Sequence, residues 1–138
     1  MYNHKEGNHA FTLIEMLVVI AIISIISGVT LVALSPSKNK AKDERIKTDI
    51  ERARGIAETL YNLNSQEPYA DVSVSKNNEL KNVSDDIGAQ NSQLVIMLAS
   101  PALSYALYAE LSDGTYYCAD SKGRTKTLSS SPSGPECQ

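Results

Sequence analysis

Between Phe11 and Leu34 the chain runs FTLIEMLVVIAIISIISGVTLVAL, with Glu15 as its sole charge. At ~1.5 Å per residue a helix over this stretch is about 36 Å long, enough to cross a ~30 Å hydrocarbon core with some tilt. A cleaved secretory signal has an apolar region of only about 7–15 residues behind a basic start. Here the run is longer, and in the ten residues before it Lys5 is offset by Glu6. The segment therefore reads as a membrane span, neither a removed signal nor a core helix. Its one carboxylate is the anomaly, because an ionisable group inside a span is expensive unless it is paired.

The formal net charge is −3, and it is unevenly spread. Residues 36–64 are mildly basic, whereas residues 65–138 are mildly acidic. An acidic outer part argues against nucleic acid as the main partner. The only two cysteines, Cys118 and Cys137, fall in the last 21 residues. On a chain with a membrane segment such a pair reads as one disulfide in an oxidising compartment, with free thiols or half of a metal site as the competing reading.

Beyond the apolar run, Ile46, Ile50, Ala53, Ala57, Leu60 and Leu63 recur at helical spacing and draw one apolar stripe. Lys40/Glu44, Asp43/Lys47, Lys47/Glu51 and Arg54/Glu58 are spaced as i,i+4 ion pairs. Pro36, in Ser35-Pro36-Ser37, removes one backbone hydrogen bond and crowds the preceding turn. With no further turn signal there, one long bent helix of roughly fifty residues is expected rather than a break. Ser65 to Ser92 is polar and rich in Asn, Ser and Asp, and reads as a long connection with a short extended piece at Asp71–Ser75. Ser92–Ala99 is apolar without a decisive period. Ser104–Leu111 reads as a strand, Asp113-Gly114 as a hairpin turn, Thr115–Asp120 as the returning strand, and Thr125–Leu128 as another after Lys122-Gly123. The expected fold class is α+β: a long bent N-terminal helix packed on a small antiparallel sheet, ending in a C-terminal disulfide-bounded loop. The stripe at 46–63 is the only long apolar face available to cover that sheet.

Residues for catalysis are scarce. Both histidines, His4 and His9, precede the apolar run, so the part beyond it holds none for a Ser-His or Cys-His pair or a His-containing zinc site. Asp85 and Asp86, with Asp71 and Glu79, fit no calcium-loop spacing and read as a solvated polar loop. Lys122, Arg124 and Lys126 make a small basic edge interleaved with Thr, which reads as a guard against edge pairing, with phosphate contact as the competing reading. Tyr105, Tyr108, Tyr116 and Tyr117 read as core and cross-strand pairs. No enzyme activity, cofactor or metal is expected. For an intact chain, Glu15 reads as a hydrated residue at the cytosolic interface. If the chain were cut between Ala10 and Phe11, the new α-ammonium on Phe11 would lie within a helix turn of Glu15 and could pair with it, within one subunit or between neighbours.

FTLIE followed by MLVVIAIISIIS resembles the class III signal of type IV pilins and pseudopilins, and SKNKAKDERIKTDIERARGIAETLY and YALYAEL…TYYCADSKG resemble short bacterial pilins. The resemblance implies a leader at 1–10, a transmembrane and polymerisation helix at 11–35, an amphipathic helix half at 36–64 and a globular pilin head at 65–138. It implies cleavage between Ala10 and Phe11 by a prepilin peptidase, N-methylation of Phe11, and a need for Glu15 in filament assembly. Ala10 stands where the family usually has Gly. The implied partners are other pilins in a homo- or hetero-polymer, the prepilin peptidase, and an inner-membrane assembly platform with its ATPases. The implied location is the inner membrane before assembly, then an extracellular filament or periplasmic pseudopilus with the head exported. The excess of Lys and Arg after the span points the other way by the positive-inside rule, but the cysteine pair and the processing signal require export. The Cys118/Cys137 pair favours a pilin over the family's major pseudopilins, which tend to use calcium in that region. The alternatives are a secretion pseudopilin and a non-polymerising, signal-anchored membrane protein with a ligand-binding head.

Overall fold

The computed structural model describes residues 11–138, and of residues 31–34 the backbone alone. The chain divides between Ser37 and Lys38 into two compact units. Helix α1 (Leu13–Thr59) runs through that division, with Pro36 inside it, so Ser35-Pro36-Ser37 does not break the helix. An 18-residue window of α1 has mean hydropathy 2.9 and no residue buried within the structure.

In the unit from Lys38 onward, four strands form one antiparallel sheet in the order β1-β2-β3-β4. They are β1 (Val95–Leu98), β2 (Tyr105–Glu110), β3 (Tyr116–Asp120) and β4 (Thr125–Leu128). All three strands expected from turn chemistry and alternation are present, and the ambiguous apolar stretch resolves as β1. Gly114 and Gly123 sit at φ +81° and +76°, the left-handed backbone that the two tight turns require. Asp113 Oδ1 accepts from the backbone N–H and hydroxyl of Thr115 at 2.9 and 2.6 Å, closing the first of those turns.

The inner face of the sheet packs on the helical stripe. Ile46, Ile50, Ala53, Ile56 and Ala57 of α1 share one buried cluster with Tyr105, Leu107, Ala109 and Ala119 of the sheet. The stripe stops short of its expected end. The α1 helix finishes at Thr59, Leu60 is only partly buried, and Leu63 is 82 % exposed. The last turn tightens, with Leu60 N–H reaching Ala57 O, and Asn62 N–H then bonds to Pro68 O outside the helix.

The polar connection expected over Ser65–Ser92 contains a second helix, α2 (Asn78–Gly88). Asn77 caps it, its Oδ1 accepting from the N–H groups of Glu79 and Leu80 at 2.8 and 2.9 Å. Leu80, Val83 and Ile87 face the core at spacings of three and four. These three apolar residues behind an Asn cap were a helix signature, outweighed in composition by the polar residues around them. Asp71–Ser75 forms turns instead of an extended piece. Asp85 and Asp86 lie on α2 and pair with Lys81 and Arg52, so they are not loop residues.

Candidate processing and assembly site

Thr12-Leu13-Ile14-Glu15 closes the start of α1. The Glu15 N–H donates to Thr12 Oγ1 at 3.3 Å, while Glu15 Oε2 accepts from the Thr12 N–H and hydroxyl, both at 2.9 Å. This is a reciprocal capping box, a Thr and a Glu three residues apart satisfying orphan donors at a helix start. The carboxylate's negative charge also lies at the positive end of the helix dipole. One oxygen, Oε2, takes all of the Thr12 contacts, which leaves Oε1 for a second partner. Every group in the box lies on residues 12–15, so a chain beginning at Phe11 keeps it intact. Phe11 is 73 % exposed. Ala10, the other half of the expected cleavage site, lies outside the described residues.

Further along, the polar side chains of the apolar half turn back on their own helix. Ser24 Oγ donates to Ile20 O at 2.7 Å, and Thr30 Oγ1 to Ser27 O at 3.0 Å. In hydrocarbon, where no water can satisfy a hydroxyl, this local bonding removes the penalty of carrying it.

The other expected pair is present: Cys118 and Cys137 form a disulfide. Beside it, Asp120 is fully buried, and its carboxylate accepts from the N–H groups of Lys122, Arg124 and Cys137 at 3.0–3.1 Å and from Arg124 Nε at 2.9 Å. Burial works against its ionisation, but the hydrogen bonds from Cys137 and Arg124, with that from Lys122, outweigh it and hold the carboxyl below its ordinary value. Glu136 bridges Lys122 and Arg124. Those two bonds, with one from Gln138, bring its pKa down to about 2. The basic edge expected at Lys122 and Arg124 is thus neutralised by the C-terminal loop it holds. Sequence spacing could not have shown this role of Asp120, because its partners lie on both sides of the β3–β4 turn and at the far cysteine.

The ion pairs expected along α1 are replaced by others. Lys47 bonds Glu44, and Arg54 bonds Glu51. The remaining acid oxygens reach outward instead. Asp43 accepts from Ser112 N–H and Oγ at 2.8 and 2.7 Å, Glu51 from Tyr117 at 2.9 Å, and Glu58 from Tyr105 and Tyr69 at 2.6 and 3.2 Å. Tyr105 and Tyr117 therefore belong to the inner face, and Tyr108 and Tyr116 pair edge-to-face on the outer one. No group of three or more His, Cys, Asp or Glu side chains able to hold a metal ion occurs among the described residues.

Residues 7–34 match the family model described as the prokaryotic N-terminal methylation motif. The chain therefore carries, over residues 7–34, the motif that forms the class III signal of type IV pilins and pseudopilins, on an apolar helix suited to membrane anchoring. Comparisons with curated proteins and with solved structures give no significant match.

Proposed function

We propose that this chain is a structural subunit, major or minor, of a type IV pilus-like filament. Prepilin peptidase removes residues 1–10 by cutting between Ala10 and Phe11 and N-methylates Phe11. The segment 11–35 then holds the subunit in the inner membrane until the assembly platform and its ATPases add it to a polymer of pilins, with the head (65–138) exported. One observation carries the proposal: the methylation motif overlaps the apolar start of α1, where the apolar side chains from Leu13 to Val29 are exposed and the one acid, Glu15, is held in a capping box. In the proposed mechanism, Oε2 of Glu15 stays on Thr12 while the free Oε1 meets the new ammonium of Phe11, in the same or a neighbouring subunit. The disulfide-closed C-terminal loop supports a pilin over a secretion pseudopilin.

Intact-mass analysis and N-terminal sequencing of membrane-extracted protein test the processing. A chain starting at methylated Phe11 is expected, and an intact Met1 would reject the proposal. Substitutions at Glu15 separate cap from charge. Glu15→Gln keeps an acceptor for Thr12 and loses the charge, whereas Glu15→Ala loses both. Both variants are expected to enter the membrane and to be missing from sheared filaments. Wild-type incorporation of Glu15→Gln would limit Glu15 to capping and end its assembly role.

A further inference from the structure

The outer face of the sheet is only partly covered. The C-terminal loop seals Ala106, Cys118 and Leu128 through Cys137, and beyond that seal Tyr108 and Tyr116 are half-exposed. Their rings lie 6.1 Å apart at 74° and border a groove of about 360 Å³. Val95 forms its floor beside them, and Asn91, Gln93 and Glu110 bring two amides and a carboxylate to it. Asn91 is held at φ +62° at the end of α2, and the Ser92 hydroxyl is tied to Glu110 O at 2.7 Å, so the polar rim is built into the α2–β1 turn. The inner-face tyrosines spend their hydroxyls on Glu51 and Glu58. Those of Tyr108 and Tyr116 have no hydrogen-bond partner among the described residues.

The geometry points to a binding site for a short neutral saccharide, independent of the filament role. Aromatic faces stack on the C–H surface of a pyranose, and planar amides and a carboxylate can pair with adjacent hydroxyls. Charge selects among ligand classes. No lysine or arginine lines the groove and Glu110 lends it negative potential, which disfavours phosphates, nucleic acid and anionic polysaccharides. Five polar groups around one small groove suit a ligand with many hydroxyls better than a lysine side chain, which would use the carboxylate and leave the amides unpaired.

The full chain in a detergent without a sugar headgroup, with its seven tyrosines fluorine-labelled, allows a direct test by fluorine NMR. Cellohexaose, chitohexaose and maltohexaose are titrated to ~10 mM, the range of weak carbohydrate affinity. At least one is expected to shift the Tyr108 and Tyr116 resonances saturably while Tyr105 and Tyr117 stay in place. Tyr116→Ala is expected to weaken binding roughly tenfold, the equivalent of one lost stacking contact. Glu110→Gln and Gln93→Ala, at exposed positions that leave the core intact, should each weaken it several-fold. Four results would overturn the assignment: no saturable shift with any of the three sugars, unchanged affinity in both rim variants, shifts produced by oligolysine but not by sugars, or shifts that follow protein concentration alone, which would place a second copy in the groove.

Discussion

From Leu13 to Val29 the apolar side chains of α1 stand exposed, Ile22 at 51 % and Ile25 at 69 %, whereas in the same helix Ile50 and Ala53 are sealed at 0 %. The polar groups divide the same way. In the apolar half, Glu15, Ser24 and Thr30 bond to their own turn of helix. In the second half, Asp43, Glu51 and Glu58 each reach at least one partner 47–69 residues away. The first half bonds within its own turns and presents an exposed apolar surface suited to a membrane. The second derives stability from the head and fixes its register on the sheet with three carboxylates. One continuous helix can do both because propensity sets only that it is a helix. Its surroundings decide which face is sealed.

The largest break in this comparison is expected from paired core truncations. Ile50→Ala should lower the unfolding free energy of the head by about 2–4 kcal/mol, because it leaves a cavity in a closed cluster. Ile22→Ala should change it by less than about 0.5 kcal/mol, since that site has no packing to lose. Denaturant titration of the detergent-solubilised chain, followed by tyrosine fluorescence, measures both, and a comparable loss from Ile22→Ala would show that the halves are not independent.

Two ties on the C-terminal loop come next. Reducing Cys118–Cys137 frees a loop of about 20 residues and should cost about 3 kcal/mol. Asp120→Ala should cost about 2–3 kcal/mol, because the buried N–H of Cys137 loses its acceptor. If the ties act separately, a reduced Asp120→Ala chain releases residues 129–138 to protease. Either change alone should leave them protected.

Glu58→Ala is smaller, about 1–2 kcal/mol, because it strips the acceptor from buried Tyr105 and from Tyr69. Its pH signature is distinctive. Burial first, then the neighbouring Glu58 carboxylate, pushes Tyr69 up to about 12 from an ordinary 10. The folded head thus holds a proton that the unfolded chain gives up sooner, and stability should be full below pH 10 and fall as pH rises through 12. The Glu136 bridge to Lys122 and Arg124 behaves oppositely. Glu136 is depressed to about 2 from 4.5, so its contribution is present above pH 4.5 and lost as pH falls toward 2. Alkaline loss should shrink in Glu58→Ala and acid loss in Glu136→Gln, and thermal melts across pH would contradict this assignment if the two variants exchanged effects. The smallest effect belongs to Lys47→Ala, whose pair with exposed Glu44 should be worth less than about 0.5 kcal/mol.

The strands and the sheet-facing stripe were legible because local chemistry dictates them. Gly114 and Gly123 supply the backbone of two turns, and alternation along Tyr105–Glu110 places the faces. Helix α2 was missed because its signal is three apolar residues and one cap within a polar stretch. The i,i+4 pairs were misread because an acid on a helix has two kinds of partner, and only one kind is visible from spacing. Glu51 and Glu58 turn toward tyrosines on the packed sheet, where a hydrogen bond in a partly dry setting outweighs a solvated ion pair.

By itself the sequence determined the apolar helix, its lone acid and the hairpins, since each follows from composition or short-range sterics; the methylation motif came by resemblance, and the sequence offered one cysteine pair without deciding that it was oxidised. The tertiary structure alone decided that Asp120 locks the C-terminal loop and that two of four tyrosines face outward beside a polar groove. Those outcomes depend on which side chains meet after the helix docks on the sheet. A meeting across tens of residues leaves no periodic trace in the chain.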